Sequence, residues 1–291
     1  MPSDEVDIIG MNRKRHKATG QRPFLRRILR EGAARLGVRP VGREVFGWRD
    51  RTIGSVAVSE RGRVWVRATA EHEDWTGDEA WTGNRDAAGI TGVPKPELLG
   101  RVEWEEPPVC MYAEAMTYVE DQPCASTAEL LEPFHVSDEW WRDLRAALDH
   151  LGSYETDRGE QASDAVVPDL ENLYARRLDL PAPKMRTEHT DLHWANITSP
   201  RLWLLDWEYW GGAPEGYGPA LLYLHSLLVP ETAAMVWEVF RDLLETPTGQ
   251  VAQLSAAAHI LGRAYRVDDY TDLQHPVREH THRLLAVVEK A

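Results

Sequence analysis

Two hydrophobic patterns divide the chain. In roughly the first 120 residues, apolar and polar positions alternate with a period near two, the signature of half-buried strands. Residues 52–60 (TIGSVAVSE), the turn Arg61-Gly62-Arg63 and residues 64–71 (VWVRATAE) predict a hairpin. Residues 98–106 and 109–119, split by Pro107-Pro108, predict two further strands. Helical spacing enters this region twice. Phe24, Leu25, Ile28, Leu29, Ala33 and Leu36 mark one helix, and residues 78–88 a second, weakened by Gly83. Beyond residue 124 the period becomes helical. Residues 136–154 predict an amphipathic helix with Ser137 as N-cap and Asp138 and Glu139 at its positive end. Residues 168–178 predict another. Four more helical stretches follow, at 220–228, 231–245, 249–267 and 277–290.

This order gives an α+β chain with a small β-rich lobe and a larger, mainly helical one. We place a basic, flexible segment at 1–21, the first lobe at 22–118, a connector at 119–124 and the helical lobe at 125–291. A chain of 291 residues buries about three quarters of its unfolded surface, so no disulfide framework is needed. Its only cysteines, Cys110 and Cys124, form neither a framework nor a metal-ligand spacing, which suits a reduced, cytoplasmic protein. No apolar run reaches the ~20 residues of a membrane-spanning helix, and no secretory leader pattern opens the sequence. Trp65, Trp140, Trp141 and Trp203, four of the twelve tryptophans, fall where a strand or helix face would bury them.

Charge is uneven. Residues 1–51 carry 13 Lys/Arg against 6 Asp/Glu, whereas the remainder carries 20 against 41. The acidic body repels nucleic acid, which is not expected as a partner, and the basic start is the one place where nucleic acid or anionic lipid could dock. The basic start reads as a helix packed on the first lobe with its arginines in water. Docking to a peptide or a membrane surface is the alternative.

The chemistry concentrates in residues 188–212, EHTDLHWANITSPRLWLLDWEYWGG. Residues 194–198 and 201–207, separated by Ser199-Pro200, predict a tight hairpin. Its second strand would bury Leu202 and Leu204 and deliver Asp206 at its end. Asn196 lies before the turn and Asp191 five residues upstream. Such oxygen donors suit magnesium, which takes one or two protein oxygens and completes its octahedron with water and phosphate. A further carboxylate can orient a hydroxyl and take its proton. Phosphoryl transfer needs this combination. A zinc site is the rival, because His189 and His193 are four residues apart, but on a helix Asp191 would then point away.

The order His189-x-Asp191-x-x-x-x-Asn196, followed by an apolar run ending in Asp206, resembles the protein-kinase catalytic loop and its metal-binding aspartate. More closely, HTDLHWAN with LLDWEYWG is similar to the aminoglycoside phosphotransferase, or choline-kinase-like, family, which has HGDLHxxN and DWE in these places. The resemblance implies a two-lobed protein-kinase-like fold. It implies that Asp191 meets the acceptor hydroxyl, that His189 braces the loop, and that Asn196 and Asp206 hold Mg2+ against ATP (GTP is possible). It also implies that Met116 and Val119 flank the adenine-binding hinge. Two positions depart from the pattern: Thr190 replaces a glycine, and Gly218 replaces an aspartate often found there. In the first lobe Arg67 stands at the phosphate-binding lysine, with Glu79 preferred over Glu71 and Glu73 as its partner, and residues 47–56 stand at the phosphate loop. The acceptor implied is a cationic small molecule: an aminoglycoside, a peptide antibiotic or an amino alcohol. The alternatives are a Ser/Thr kinase acting on a peptide in natural-product biosynthesis, and a nucleotide-binding pseudokinase, for which the missing lysine argues.

Overall fold

The computed structural model describes residues 22–77, 79–159, 161–267 and 269–289. The basic segment expected at 1–21 lies outside them. The chain divides into two compact units. One runs up to Ala88 and includes Pro96–Glu120; the other comprises Gly89–Lys95 and the chain from Asp121 onward.

In the first unit, helix α1 (Arg22–Arg35) buries Leu25, Ile28, Leu29 and Ala33, which recur at helical spacing and form one stripe. That stripe covers an antiparallel sheet of β1 (Arg39–Pro40), β3 (Thr52–Ser59), β4 (Gly62–His72), β6 (Val109–Thr117) and β5 (Leu98–Glu106), in that spatial order. β2 (Val45–Phe46) pairs with β3. Successive strand side chains point to opposite faces. Val64, Val66, Ala68 and Ala70 of β4 therefore join Met111 and Ala113 of β6 in the core beneath α1. Arg67 pairs with Glu114 in the register and Thr69 with Tyr112, so these residues share the other face. That face meets α2 (Glu79–Asp86) through Trp81, whose ring stands edge-on to Tyr112 at 4.6 Å. Covered on both sides, β4 and β6 are buried along most of their length.

The arginines of α1 are not left to water alone. Arg22 pairs with Asp50 at 2.9 Å, Arg26 with Glu44 at 2.7 Å and Arg27 with Glu106 at 2.6 Å. Acids elsewhere in its own unit thus pair with three of the five arginines of the helix.

The second unit is mainly helical: α3 (Asp138–Leu151), α4 (Ser163–Tyr174), α5 (Tyr217–His225), α6 (Pro230–Leu244), α7 (Pro247–Val267) and α8 (Gln274–Val288). Two ribbons interrupt the helices, β7 (Gln122–Pro123) with β9 (Thr198–Ser199) and β8 (Met185–Glu188) with β10 (Gly211–Pro214). Ser137 caps α3 as expected, its Oγ accepting from the Trp140 N–H at 3.2 Å. Trp140, Trp141, Trp194 and Phe134 form a cluster of edge-on and tilted rings.

Three local expectations change. The helix expected at 168–178 is α4, which begins five residues earlier and ends at Tyr174. Burial of Val166, Val167 and Leu170 outweighs the interior Pro168, and Ala175 leaves the helix at φ 51°. The hairpin expected at 194–207 forms as a short one: Ile197 bridges Leu204, flanked by the Thr198 N–H to Trp203 O at 3.2 Å and the Leu205 N–H to Asn196 O at 2.7 Å. Its outer edges pair elsewhere, β9 with β7 and the Leu204 N–H with Pro94 O at 2.7 Å. Trp65 and Trp203 are half-buried.

No described helix is long and apolar enough to cross a membrane. Cys110 and Cys124 are free.

Gly32 marks the closest approach of α1 to the sheet. A Cβ there would lie 2.2 Å from Ala113 Cβ. A glycine in a helix ordinarily costs ~1 kcal/mol relative to alanine. Here Gly32→Ala should instead destabilise by ~1–3 kcal/mol through overpacking. Urea unfolding measures this, and an unchanged or raised midpoint would contradict the packing described.

Candidate active site

The segment from His189 to Trp210 is closed at its base by strand pairing, with Glu188 of β8 opposite Gly211 of β10. Glu188 makes a second closure. Its buried carboxylate accepts from the Gly216 N–H at 2.8 Å and the Gly218 N–H at 3.1 Å. Those donors are the otherwise unpaired N–H groups at the buried start of α5, where the helix carries partial positive charge. Burial nevertheless dominates and raises the Glu188 pKa to about 7, against the two N–H groups that favour its charged form. A Cβ on Gly218 would come within 3.0 Å of Glu188 Oε2.

His189 follows directly and is fully buried. Its Nε2 lies 2.9 Å from Leu205 O. A carbonyl can only accept, so Nε2 carries the proton. The ring stands edge-on to Trp207 at 5.1 Å. Burial lowers its pKa. The bond ties the start of the loop to the residue before Asp206. Trp194, also fully buried, donates from Nε1 to Ser226 Oγ at 2.9 Å, and Trp140 donates to Thr198 O at 2.9 Å. These indoles anchor the loop in the helical core.

Asp191 and Asn196 meet within this frame. Asn196 Nδ2 donates to Asp191 O at 2.9 Å and to Asp191 Oδ2 at 3.2 Å, and lies 3.2 Å from His193 Nε2. Its amide group is thereby oriented, which leaves Oδ1 as the atom able to ligate a cation. Asp191 is 23% exposed. Burial pushes its pKa up, but His193, His189, His259 and Arg263 outweigh this, and the carboxyl stays below its usual range. Asp206 is exposed and holds a left-handed backbone at φ 58°. It reaches this neighbourhood through the preceding residue, because the Leu205 N–H donates to Asn196 O at 2.7 Å.

Asn196 and Asp206 together offer a carboxamide oxygen and a carboxylate, a donor set that fits magnesium with water and phosphate as its other ligands. A zinc cage is not assembled. His189 and His193 each turn Nε2 toward protein partners, and among the described residues no group of three or more His, Cys, Asp or Glu is placed to hold a metal.

In the first unit, Arg67 is buried on the polar face of the sheet. Opposite it, Glu114 is fully buried and accepts from Arg101 Nη1 at 2.6 Å and from Asn84 Nδ2 at 2.9 Å. The Arg101 guanidinium lies 3.8 Å from the centre of the Tyr112 ring. Sequence reasoning missed Arg101, Glu114 and Asn84. The available signal was a glutamate between two alanines in an otherwise apolar strand. Glu79 is the exposed first residue of α2. Met116 lies within the ladder, paired with Trp65 and Leu98, and Val119 follows the last strand residue, Thr117. The stretch expected to be the phosphate loop forms the β2–β3 connection, with Phe46 opposite Ile53. Arg49 and Asp50 there hold left-handed backbones at φ 50° and 56°.

Glu188 generates two predictions. Its folded pKa of about 7 lies above the ordinary 4.5, so the folded state holds the extra proton between those values. The stability it contributes is complete below pH ~4.5 and is lost as pH rises through about 7. Chemical unfolding of Glu188→Gln across this range should show a flatter profile than the unaltered chain; an identical slope would count against the assignment. Gly218→Asp would bring a second carboxylate against Glu188. It should destabilise by ~1–3 kcal/mol at pH 8 and less at pH 5, where one acid can carry a proton.

No known family profile matches the chain, and no curated protein matches it. Among solved structures, a thermostable mutant of aminoglycoside phosphotransferase APH(4)-Ia in its apo form is 14% identical, with a TM-score of 0.53, covering 89% of this chain and 99% of its own. A structure described as a fructosamine-3-kinase of Haemophilus somnus 129PT is 10% identical, with a TM-score of 0.51, covering 89% and 96%. Spectinomycin phosphotransferase APH(9)-Ia, in complex with ADP and spectinomycin, is 10% identical, with a TM-score of 0.49, covering 90% and 93%. The chain has the two-lobed, protein-kinase-like fold of the aminoglycoside phosphotransferases and fructosamine-3-kinase.

Proposed function

We propose that the chain is an ATP-dependent phosphotransferase that moves the γ-phosphate to an alcohol hydroxyl. The observation that carries this reading is the pairing of Asp191 with Asn196. One amide group bonds both the backbone and the side chain of the aspartate. The hydrogen bond falls on Oδ2, so Oδ1 is left to accept from an incoming hydroxyl. The lowered pKa keeps Asp191 ionised at neutral pH, as an orienting base requires. His189 holds the loop by its bond to Leu205. Asn196 Oδ1 and the Asp206 carboxylate would hold Mg2+. The metal, when bound, neutralises the charge on the nucleotide phosphates. Arg67 adds a permanent positive charge for the same phosphates, as a fork rather than a point. Met116 and Val119 flank the adenine-binding stretch, and GTP is the alternative nucleotide.

The names of the structures that share the fold, an aminoglycoside phosphotransferase and a fructosamine-3-kinase, support an alcohol-bearing small molecule as acceptor. Arg67 in place of lysine favours a second reading, a nucleotide-binding module without turnover.

Asp191→Asn should lower phosphate transfer by ~10²–10⁴-fold while leaving ADP binding within ~2-fold, because the substitution removes the base and not the nucleotide's ligands. Coupled-assay turnover and calorimetric ADP titration measure the two. Undiminished turnover would remove Asp191 from the reaction. Asp206→Ala should abolish the magnesium dependence of nucleotide binding. Nucleotide binding without turnover in any acceptor screen would select the second reading.

A further inference from the structure

A cavity of about 370 Å³ opens in the helical unit between the end of α4, α7 and α8. Its size falls within the range of small-molecule sites. Leu261, the residue that α7 contributes, is two positions from both His259 and Arg263 and so takes the opposite face of that helix. The floor is apolar. Tyr174 and Leu285 belong to a core cluster with Val166, Leu170, Leu254 and Val288. One end of the cavity is closed by the backbone: Leu178 bridges Glu289, and the Asp179 N–H donates to Val288 O at 2.7 Å.

Most polar groups on the wall are already bonded. Tyr174 Oη donates to Leu254 O at 2.7 Å and Thr281 Oγ1 to Val277 O at 2.8 Å. Arg176 Nη1 meets both oxygens of Glu289 at 2.7 Å. Arg278 and His282 remain, one turn apart on α8 and both on the cavity wall. Neither has a hydrogen bond or ion pair among the described residues. The acid next to Arg278 in the chain, Glu279, is taken by Arg283 at 2.7 Å. A guanidinium carries five donors and no acceptor. What the wall lacks is therefore an acceptor, and a charged one makes the strongest hydrogen bonds to such a fork. A single unmatched positive charge suits a single negative one, which favours a carboxylate over a doubly charged phosphate.

We propose that this cavity binds a small amphipathic anion, a carboxylate on an apolar or aromatic body. The carboxylate seats on Arg278, with His282 beside it, and the body rests on Tyr174, Leu261 and Leu285. The proposal does not depend on the phosphotransferase reading.

The test titrates the full chain with four probes and follows backbone NMR shifts. The probes are benzoate, its neutral isostere benzamide, the cation benzylamine, and acetate, which has the charge without the ring. Benzoate should bind ~5-fold or more tighter than each of the others, with shifts at residues 174–178, 261 and 278–289. Arg278→Gln should bring benzoate to within ~2-fold of benzamide, whereas Arg283→Gln, whose arginine is already paired, should leave the preference within ~2-fold of its original value. Ala286→Trp should fill the cavity and abolish the shifts from benzoate and benzamide alike. Equal affinities, no binding of benzoate, benzylamine binding tightest, or acetate matching benzoate would each overturn the proposal. So would a preference that survives Arg278→Gln, or benzoate shifts confined to other parts of the chain. Arg278 is exposed, so its variant decides the matter if Ala286→Trp does not fold.

Discussion

The contact between the Glu188 carboxylate and the first N–H groups of α5 holds the candidate site in shape. Strand β8 ends at Glu188, and the loop begins one residue later. If this carboxyl were not seated on Gly216 and Gly218, only the short β8–β10 ribbon would close the segment from 189 to 210. With it seated, His189 is carried to Leu205. That bond sets the distance between the two halves of the loop, and Asn196 can bond Asp191 on one side and Leu205 on the other. The order of dependence runs from a buried carboxyl, to a backbone closure, to the position of a base. An acid with a raised pKa here is a structural element of the second unit.

The two units handle buried charge differently. In the first, Glu114 is fully buried and is matched by Arg101 and Asn84 at short range, so the charge is paired and hydrogen-bonded as burial demands. In the second, Asp191 accepts one side-chain hydrogen bond, from Asn196, and lies beside His193 at 3.7 Å, with no guanidinium among the described residues locked onto it. A carboxylate in a bidentate lock is inert, whereas one with an oxygen left over can still accept a proton.

Much of this was legible from residue order. The strands β3 to β6 follow the period-two pattern, and the loop residues Asp191 and Asn196 declared themselves by type and spacing. What could not be read was tertiary. The expected hairpin after Asn196 is short, and its outer edges are taken by β7 and by a distant residue, Pro94, whose O accepts the Leu204 N–H. Helix α4 runs through Pro168 because Val166, Val167 and Leu170 gain burial, a term that local propensity does not contain. Arg101 and Asn84 come from a strand and a helix that converge on Glu114 only once the sheet has formed. Likewise His259 and Arg263, from α7, act on Asp191 only once the helical half has folded.

The tight fit between Gly218 and Glu188 ties two distant positions together. An oxygen of Glu188 lies 3.0 Å from where a side chain on residue 218 would begin, so the absent Cβ leaves room for the carboxyl to reach the Gly218 N–H. Changes at 188 and at 218, thirty residues apart in the chain, would therefore not act independently.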